Sequence, residues 1–320
     1  MALRRRCGAH RGVVLGPPVV SVGNLSVGGT GKTPFVDLLL SILPSELEPP
    51  LVLARGYGEV FARDGRVLND EGHFLQARHP GLWQAQGADR VAVARRELQG
   101  RQAGCIVLDD GAQHLAIARD LEILLFDAPS LLRPMRTLPA GPFREGLKAA
   151  SIADLLVMTK TEGLTPGQLD TARARLGRLA PDRPLIVTVL RVVGGRRADG
   201  SAVAPADFQG LTVGLLAGVA DPPSVQATLA SLGARVDRCW MPGDHRRPSA
   251  SMLRDVKEAS AALDAIVITA KDEARLEADP GFDYLVLDTE MDLVEGRSHL
   301  TAALDRLAAN RSTPGEEGPA

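Results

Sequence analysis

Aromatic side chains are scarce in this chain, with two tryptophans, two tyrosines and seven phenylalanines among 320 residues. So thin a supply of rings argues against a base-stacking surface for nucleic acid. Charge gives no reason for such a partner either, since 37 Lys and Arg against 39 Asp and Glu leave a formal net charge of −2. No nucleic acid is expected. Cysteine is equally sparse. Cys7, Cys105 and Cys239 are odd in number and far apart, forming neither a disulfide framework nor a zinc pattern, which suits a reducing cytosol. No apolar run reaches the ~20 residues that a bilayer-spanning helix needs. The basic start, Met1 to Cys7, lacks the apolar core of a secretion signal, so it reads as a solvated terminus or as a contact for anionic lipid. What remains, 45% hydrophobic and 24% charged residues, fits a soluble globular protein of about two domains.

The stretch Val19 to Pro34, VVSVGNLSVGGTGKTP, organises the rest. A β-branched run predicts a buried strand, a Gly-rich turn follows, and Lys-Thr-Pro leads into an apolar helix over Phe35 to Leu43. Strand, glycine loop and helix in that order make a phosphate-binding loop. Glycines let successive N–H groups point into one concavity, and the helix N-terminus adds partial positive charge. Within it, Ser26, Val27, Gly28, Gly29, Thr30 and Gly31 would cradle phosphates. Lys32 would reach the β- and γ-phosphates, and the Thr33 hydroxyl would ligate Mg²⁺. Ser26 departs from the usual template, which has glycine there. The plainer alternative is a Gly-rich turn that only caps a helix.

A second apolar strand, Leu51 to Ala54, ends at Arg55-Gly56-Tyr57-Gly58, where the glycines predict a turn at the carboxyl edge of a sheet. Asn69-Asp70-Glu71 precedes a helix over Glu71 to Arg78, so Asp70 reads as an N-cap on its own spacing. Asp89 to Leu98 is another helix. Cys105 to Gly111, CIVLDDG, carries an apolar strand into paired acids. Asp109 and Asp110 there need a cation, either Mg²⁺ on a nucleotide or a structural salt bridge. Gln113 and His114 follow on the same loop. Leu121 to Phe126 and Ala153 to Met158 are further buried strands. Between them the stiff loop Leu138 to Glu145, LPAGPFRE, ends in Arg144-Glu145, which suits holding a charge in a cleft or forming a surface ion pair.

Strands alternating with helices predict an α/β fold, a P-loop doubly wound and mostly parallel sheet, with a second, smaller α/β lobe. The expected limits are a nucleotide-binding domain over 1–185, a β-rich linker over 186–211 and the smaller lobe over 212–305. A helix end and disordered tail complete the chain over 306–320. The smaller lobe is predicted to hold strands over Thr212 to Ala217, Ala265 to Thr269 and Tyr284 to Leu287, with helices over Ser224 to Leu232 and Ser249 to Leu263. Its loop Cys239 to Pro248 contains Gly243-Asp244-His245, which reads as a base, a phosphate contact or an inert loop histidine. Two lobes imply a cleft that opens and closes.

Together these motifs resemble the tetraacyldisaccharide 4′-kinase family. The resemblance rests on VGNLSVGGTGKTP, ARGYG, NDEG, LDDGAQH, RDLEILLFDA, TLPAGPFRE, the GVADP turn, GDH and ITAKDEARL, in that family's order from residue 19 to about 276. It implies an ATP-dependent kinase that uses Mg²⁺ to phosphorylate the 4′-hydroxyl of a tetraacyl glucosamine disaccharide 1-phosphate in lipid A biosynthesis. It also implies that Asp70 and His245 are the catalytic pair, a carboxylate charging and orienting an imidazole. Lys32, Thr33, Asp109 and Asp110 would hold phosphates and metal, with Gln113 on the nucleotide. Asn24, Arg55, His114, Arg144, Glu145 and Asp244 would line the substrate side. The family often begins with a hydrophobic or amphipathic helix, whereas only Met1 to Pro18 precede the first strand here, with Arg4 to Arg6 basic. A cytoplasmic monomer, held peripherally on the inner face of the bacterial inner membrane, is the expectation.

One reading from another class competes: a nucleotide-switch GTPase or metallochaperone. Thr159-Lys160-Thr161-Glu162 is similar to a guanine clamp, but Glu162 stands where that clamp has Asp, and Asp110-Gly111 breaks the switch spacing.

Overall fold

Apolar runs broken by turn residues set the order of elements. In the computed structural model, residues 12–56, 60–63, 66–219, 221–244, 246–276 and 280–312 are described. β1 (Val19–Asn24) leads to α1 (Lys32–Ser41) and β2 (Pro50–Ala54), and an antiparallel hairpin of β3 (Val60–Arg63) and β4 (Arg66–Asn69) follows. Next come α2 (Asp70–Arg78), β5 (Trp83–Gln86), α3 (Arg90–Glu97) and β6 (Cys105–Asp109). β7 (Leu121–Asp127), α4 (Ala128–Leu131), β8 (Leu155–Thr159) and α5 (Pro166–Leu179) complete the first half. The second half runs β9 (Leu185–Arg197), β10 (Ala202–Val203), β11 (Thr212–Leu216), α6 (Pro222–Ser231) and β12 (Arg235–Trp240). It ends with α7 (Ala250–Ser260), β13 (Ala265–Thr269), α8 (Ala270–Glu273), β14 (Tyr284–Glu295) and α9 (Arg297–Ser312).

The chain divides into two compact units. The first comprises Met1–Arg55, Gly81–Leu190 and Met291–Ala320, and the second Gly56–Pro80 and Arg191–Glu290. Limits read from the sequence lay at 185, 211 and 305. Asp70, read there with the nucleotide-binding segment, groups with the second unit, and α9 groups with the first. Two of the crossings fall inside strands, β9 and β14, so there the chain passes from unit to unit in extended backbone.

In the first unit the strands lie in the order β5-β2-β6-β1-β7-β8, with the start of β9 beside β8, and every neighbouring pair is parallel. A parallel sheet is covered on both faces, which is why β1, β6 and β8 are buried at every position and read as unbroken apolar runs. Leu51, Leu53, Ile106 and Leu108 pack with Val93 and Ala94 of α3 on one side. Leu124, Phe126, Leu156 and Met158 pack with Leu176 of α5 on the other. Each such side chain contributes about 1.5–3 kcal/mol on burial. β1 is central, Val22 pairing with Asp109 and Gly23 with Leu124. The loop that leaves β1 therefore starts at the carboxyl edge, between the ends of β6 and β7, where ligands bind in open α/β sheets.

The second unit repeats the plan on a smaller scale, as β12-β11-β13-β14, again parallel, with β10 antiparallel to the later part of β9. Alternation is clean: Leu215, Val267 and Leu285 face one core with Phe208 and Leu229, while Leu216, Ile268 and Val286 face another with Val256. The expected mostly parallel α/β fold is present in both units.

Several elements differ from the sequence expectation, each for a local reason. β5 sits at a sheet edge and alternates buried with half-buried residues, so its run WQAQ lacks the apolar block of a central strand. β12, RVDRCW, is an edge strand whose residues are mostly exposed, so polarity hid it. β14 continues eight residues past Leu287, through the polar run Asp288 to Glu290 and buried Met291. Asn69, not Asp70, caps α2, accepting from Gly72 N at 2.9 Å, which leaves Asp70 as the first helical residue. The expected disordered tail, residues 1–11 with Arg4 to Arg6, and His245 lie outside the described residues, save Ser312 at the end of α9.

Candidate active site

The loop after β1 takes its shape from its own backbone. Gly28 and Gly31 adopt φ of +94° and +78°, the left-handed region that side chains resist. Gly31 is also the N-cap of α1 and, having no side chain, makes no side-chain capping hydrogen bond there. An anion at that end meets the positive end of the helix dipole. The loop is pinned from outside by the Pro-rich segment. Val27 N donates to Pro142 O (2.7 Å), Arg144 N donates to Leu25 O (2.6 Å), and Ser26 pairs with Phe143 in an antiparallel bridge. From within the unit, Thr159 Oγ1 donates to Thr30 O at 2.8 Å.

Around Lys32 the polar side chains form a linked ring. Its Nζ lies 3.4 Å from Asn24 Oδ1 and 3.4 Å from Asp110 Oδ1. Arg144 Nη1 is 3.6 Å from Asp110 Oδ2 and donates to Gln113 Oε1 (3.1 Å). Gln113 Nε2 donates to Asn24 O (3.0 Å), and Asn24 Nδ2 donates to Ser26 O (3.0 Å). The residues Asn24, Lys32, Asp110, Gln113 and Arg144, expected from separate motifs, are thus brought together. Asp110 itself sits at φ +53°, an uncommon conformation for a residue with a side chain.

Two cations that sequence reasoning left out hold this loop. Arg90, buried at the start of α3, donates from Nη1 to Asp110 O at 3.0 Å. Burial lowers its pKa, Asp110 and Asp109 oppose that fall, and Arg55 and Arg119 add to it. Arg119 donates to Gly111 O (2.8 Å), reaches His114 O and pairs with Glu122. Ser21 Oγ donates to Glu122 Oε1 at 3.2 Å, closing a buried network under the Asp-Asp turn. The signal for Glu122 was a charge inside the apolar run of β7. Arg90 had none beyond its place in a helix. His114 is held down to about 4, first by burial and then by Arg90 and Arg119, so its imidazole is neutral at ordinary pH.

The donor set fits a magnesium nucleotide. Asp109, next to Asp110 in the chain, and Thr33, next to Lys32 in the first turn of α1, are both buried oxygen-bearing side chains. The Thr30 hydroxyl and both Glu145 carboxylate oxygens are buried with no hydrogen-bond partner among the described residues. Hard oxygens of this kind suit Mg²⁺, which rests on one or two carboxylates plus phosphates. No cluster of three or more His, Cys, Asp or Glu among the described residues could hold a metal alone.

The second unit builds a different kind of site. Asp70, 1% exposed, forms an ion pair with Arg275 Nη2. Arg275 Nη1 donates to Asp272 Oδ1 (3.0 Å) and to Gly218 O (2.5 Å). Asp272 also accepts from Gly218 N (2.8 Å) and from Thr269 Oγ1 (2.6 Å). Burial pushes the Asp272 carboxyl up, against the opposing pull of Arg275 and Thr269. Nearby, Lys271 Nζ pairs with Glu71 Oε1 at 2.7 Å. Asp244 is exposed in this unit. Asn24, Ser26 to Thr33, Arg55, Asp109, Asp110, Gln113, His114, Arg144 and Glu145 all belong to the first unit.

Comparison with known proteins agrees along the whole chain. Residues 1–309 match the family model described as Tetraacyldisaccharide-1-P 4′-kinase. A tetraacyldisaccharide 4′-kinase of Anaeromyxobacter sp. (strain K) is 34% identical, over 93% of this chain and 84% of its own length. One from Geobacter sulfurreducens is 34% identical over 82% of this chain and 75% of its own. Among solved structures, the "apo" form of LpxK from Aquifex aeolicus in complex with ATP aligns with a TM-score of 0.70 and 25% identity. It covers 95% of this chain and 93% of that one.

Proposed function

The chain belongs to the tetraacyldisaccharide-1-P 4′-kinase family, and on that footing we propose that the Lys32 loop grips ATP while Asp70 and His245 draw the proton from the acceptor. The protein is an ATP-dependent kinase of lipid A biosynthesis, transferring the γ-phosphate to the 4′-hydroxyl of a tetraacyl glucosamine disaccharide 1-phosphate. The nucleotide-switch reading is not favoured, since relatives matching over most of the chain are kinases.

One observation supports the grip above the others. The Lys32 ammonium stands at an uncapped helix N-terminus with both its contacts at 3.4 Å, longer than charged hydrogen bonds usually run. Phosphate oxygens can take it over at little cost. Loop N–H groups and Lys32 then bind the triphosphate, and Arg144 and Gln113 line the same ring. Thr33, Asp109 and Asp110 would hold Mg²⁺, whose contribution when bound is to neutralise charge developing on the phosphates. Asp70 is buried and charge-paired, which suits orienting an imidazole. His245 is then the group that accepts the 4′-hydroxyl proton. The acceptor's acyl chains bring the protein, as a monomer, peripherally to the inner face of the inner membrane. No helix among the described residues is long and apolar enough to cross a membrane.

The test is incubation with γ-labelled ATP and the glycolipid acceptor, in parallel with GTP alone. Label appearing on the disaccharide is the expected result. Nucleotide hydrolysis in either tube without labelled glycolipid would replace the kinase with a switch.

A further inference from the structure

Arg275 has no role in the sequence reading, yet it is 3% exposed and its fork joins three separate segments. One arm pairs with Asp70 at the first residue of α2. The other donates to Asp272 in α8 and to the carbonyl of Gly218 in the turn after β11. Asp272 is in turn fixed by Gly218 N and Thr269 Oγ1, so its orientation, and with it the plane of the guanidinium, is set from the far side. Only glycine fits at 218: a Cβ there would lie 2.5 Å from Arg275 Nη1 and 3.1 Å from Asp272 Oδ1. A link between α2 and α8 exists without Arg275, through the partly exposed Lys271–Glu71 pair. A second, fully buried tie aimed at one carboxylate is more than docking requires.

We propose that Arg275 is a positioning residue for phosphate transfer, its guanidinium holding the Asp70 carboxylate in the orientation from which Asp70 acts on its partner base. The inference rests on the role given to Asp70 above. Buried carboxylates protonate when their cation is lost, and a planar guanidinium whose other arm is anchored on Asp272 and Gly218 fixes direction as well as charge. Lysine supplies the charge but not the second arm.

The experiment measures kcat and KM for ATP in the full-length chain carrying Arg275→Lys, Asp70→Asn, or both, with thermal melting to confirm folding. If Arg275 acts through Asp70, Arg275→Lys lowers kcat about 100-fold, the scale of a misplaced catalytic group. KM for ATP changes little, and in the Asp70→Asn background the same substitution costs almost nothing further. Near-normal kcat in folded Arg275→Lys overturns the proposal. So does a loss confined to KM for ATP, or one that is fully additive with Asp70→Asn. If Asp70→Asn alone retains full kcat, the reading of Asp70 fails instead, which is a separate outcome. Should Arg275→Lys not fold, Gly218→Ala displaces the guanidinium while keeping its charge. A folded Gly218→Ala enzyme with reduced kcat that is non-additive with Asp70→Asn supports the assignment, and one with unchanged kcat overturns it.

Discussion

The phosphate loop of the first unit and the acid cluster of the second are built by opposite means. Around Gly28 to Lys32 the shape comes from backbone torsions and main-chain hydrogen bonds, and the Lys32 ammonium is loosely held. Around Asp70 the shape comes from side chains, a guanidinium shared between two carboxylates, all under 5% exposed. A site that must receive a highly charged ligand keeps its donors open. On the role proposed for Asp70, a site that presents one carboxylate in one direction spends its donors on holding it. The contrast predicts different consequences for stability and activity in the two places.

The largest effect on transfer is expected from Lys32→Ala. It should lower kcat by more than about 10³-fold, beyond the usual loss of one preorganised donor, while the melting temperature barely moves. The partly exposed Lys32–Asp110 pair is worth at most about 1 kcal/mol. Kinetics and a melting curve on one preparation check both halves; a large loss of stability would show the lysine to be structural. Asp70→Ala should do both kinds of damage. It lowers kcat by about 10²–10⁴-fold, the range for a lost proton-transfer partner. It also destabilises the fold by about 3–5 kcal/mol, because Arg275 is left buried with a missing partner. Unchanged denaturant midpoints would erase the distinction drawn between the two regions.

A smaller change comes from Gly31→Ala. A side chain at φ +78° costs about 1–2 kcal/mol, and its Cβ would press on Met291 Cε at 3.3 Å. ATP binding should weaken about tenfold, the equivalent of 1.4 kcal/mol, readable by calorimetric titration. The smallest effect is a pH slope. Burial with Arg90 and Arg119 holds the folded His114 near 4, so as pH falls below its ordinary 6.5 the unfolded chain takes up the proton first. Stability from this group is complete above that value and is lost as pH falls through 4. Melting temperature should therefore decline more steeply across that window in the wild type than in His114→Gln.

The two regions also differ in how far sequence reveals them. Gly28, Gly31, Lys32 and Thr33 are neighbours in the chain, and each residue type has a physical reason that reads off directly. Asp109 and Asp110 were visible because carboxylates ending an apolar strand demand a cation. Asp70 and Arg275 are 205 positions apart, and nothing in NDEG or ITAKDEARL says that one meets the other. Asp70 even mimicked an N-cap, a place that Asn69 takes. Arg90 escaped for the same reason, since it acts on the carbonyl of Asp110 twenty positions on, and Arg119 stood in RDLEILLFDA with nothing to say that it grips the carbonyls of the preceding turn. The parallel strands were legible from buried apolar runs, whereas β5 and β12 at the edges were not. Edge strands bury only part of their surface, so their composition drifts toward that of loops.

The antiparallel bridge between Ser26 and Phe143 has one more consequence. Because residues 142–144 already satisfy the outer rim of the phosphate loop, and the Phe143 ring is anchored in the core, the entropy of ordering that rim is settled when the chain folds. Nucleotide arrival then finds a preorganised receptor and does not have to freeze one. A Phe143→Ala enzyme would keep every group that touches ATP, yet capture it more weakly, having to assemble its rim anew at each encounter.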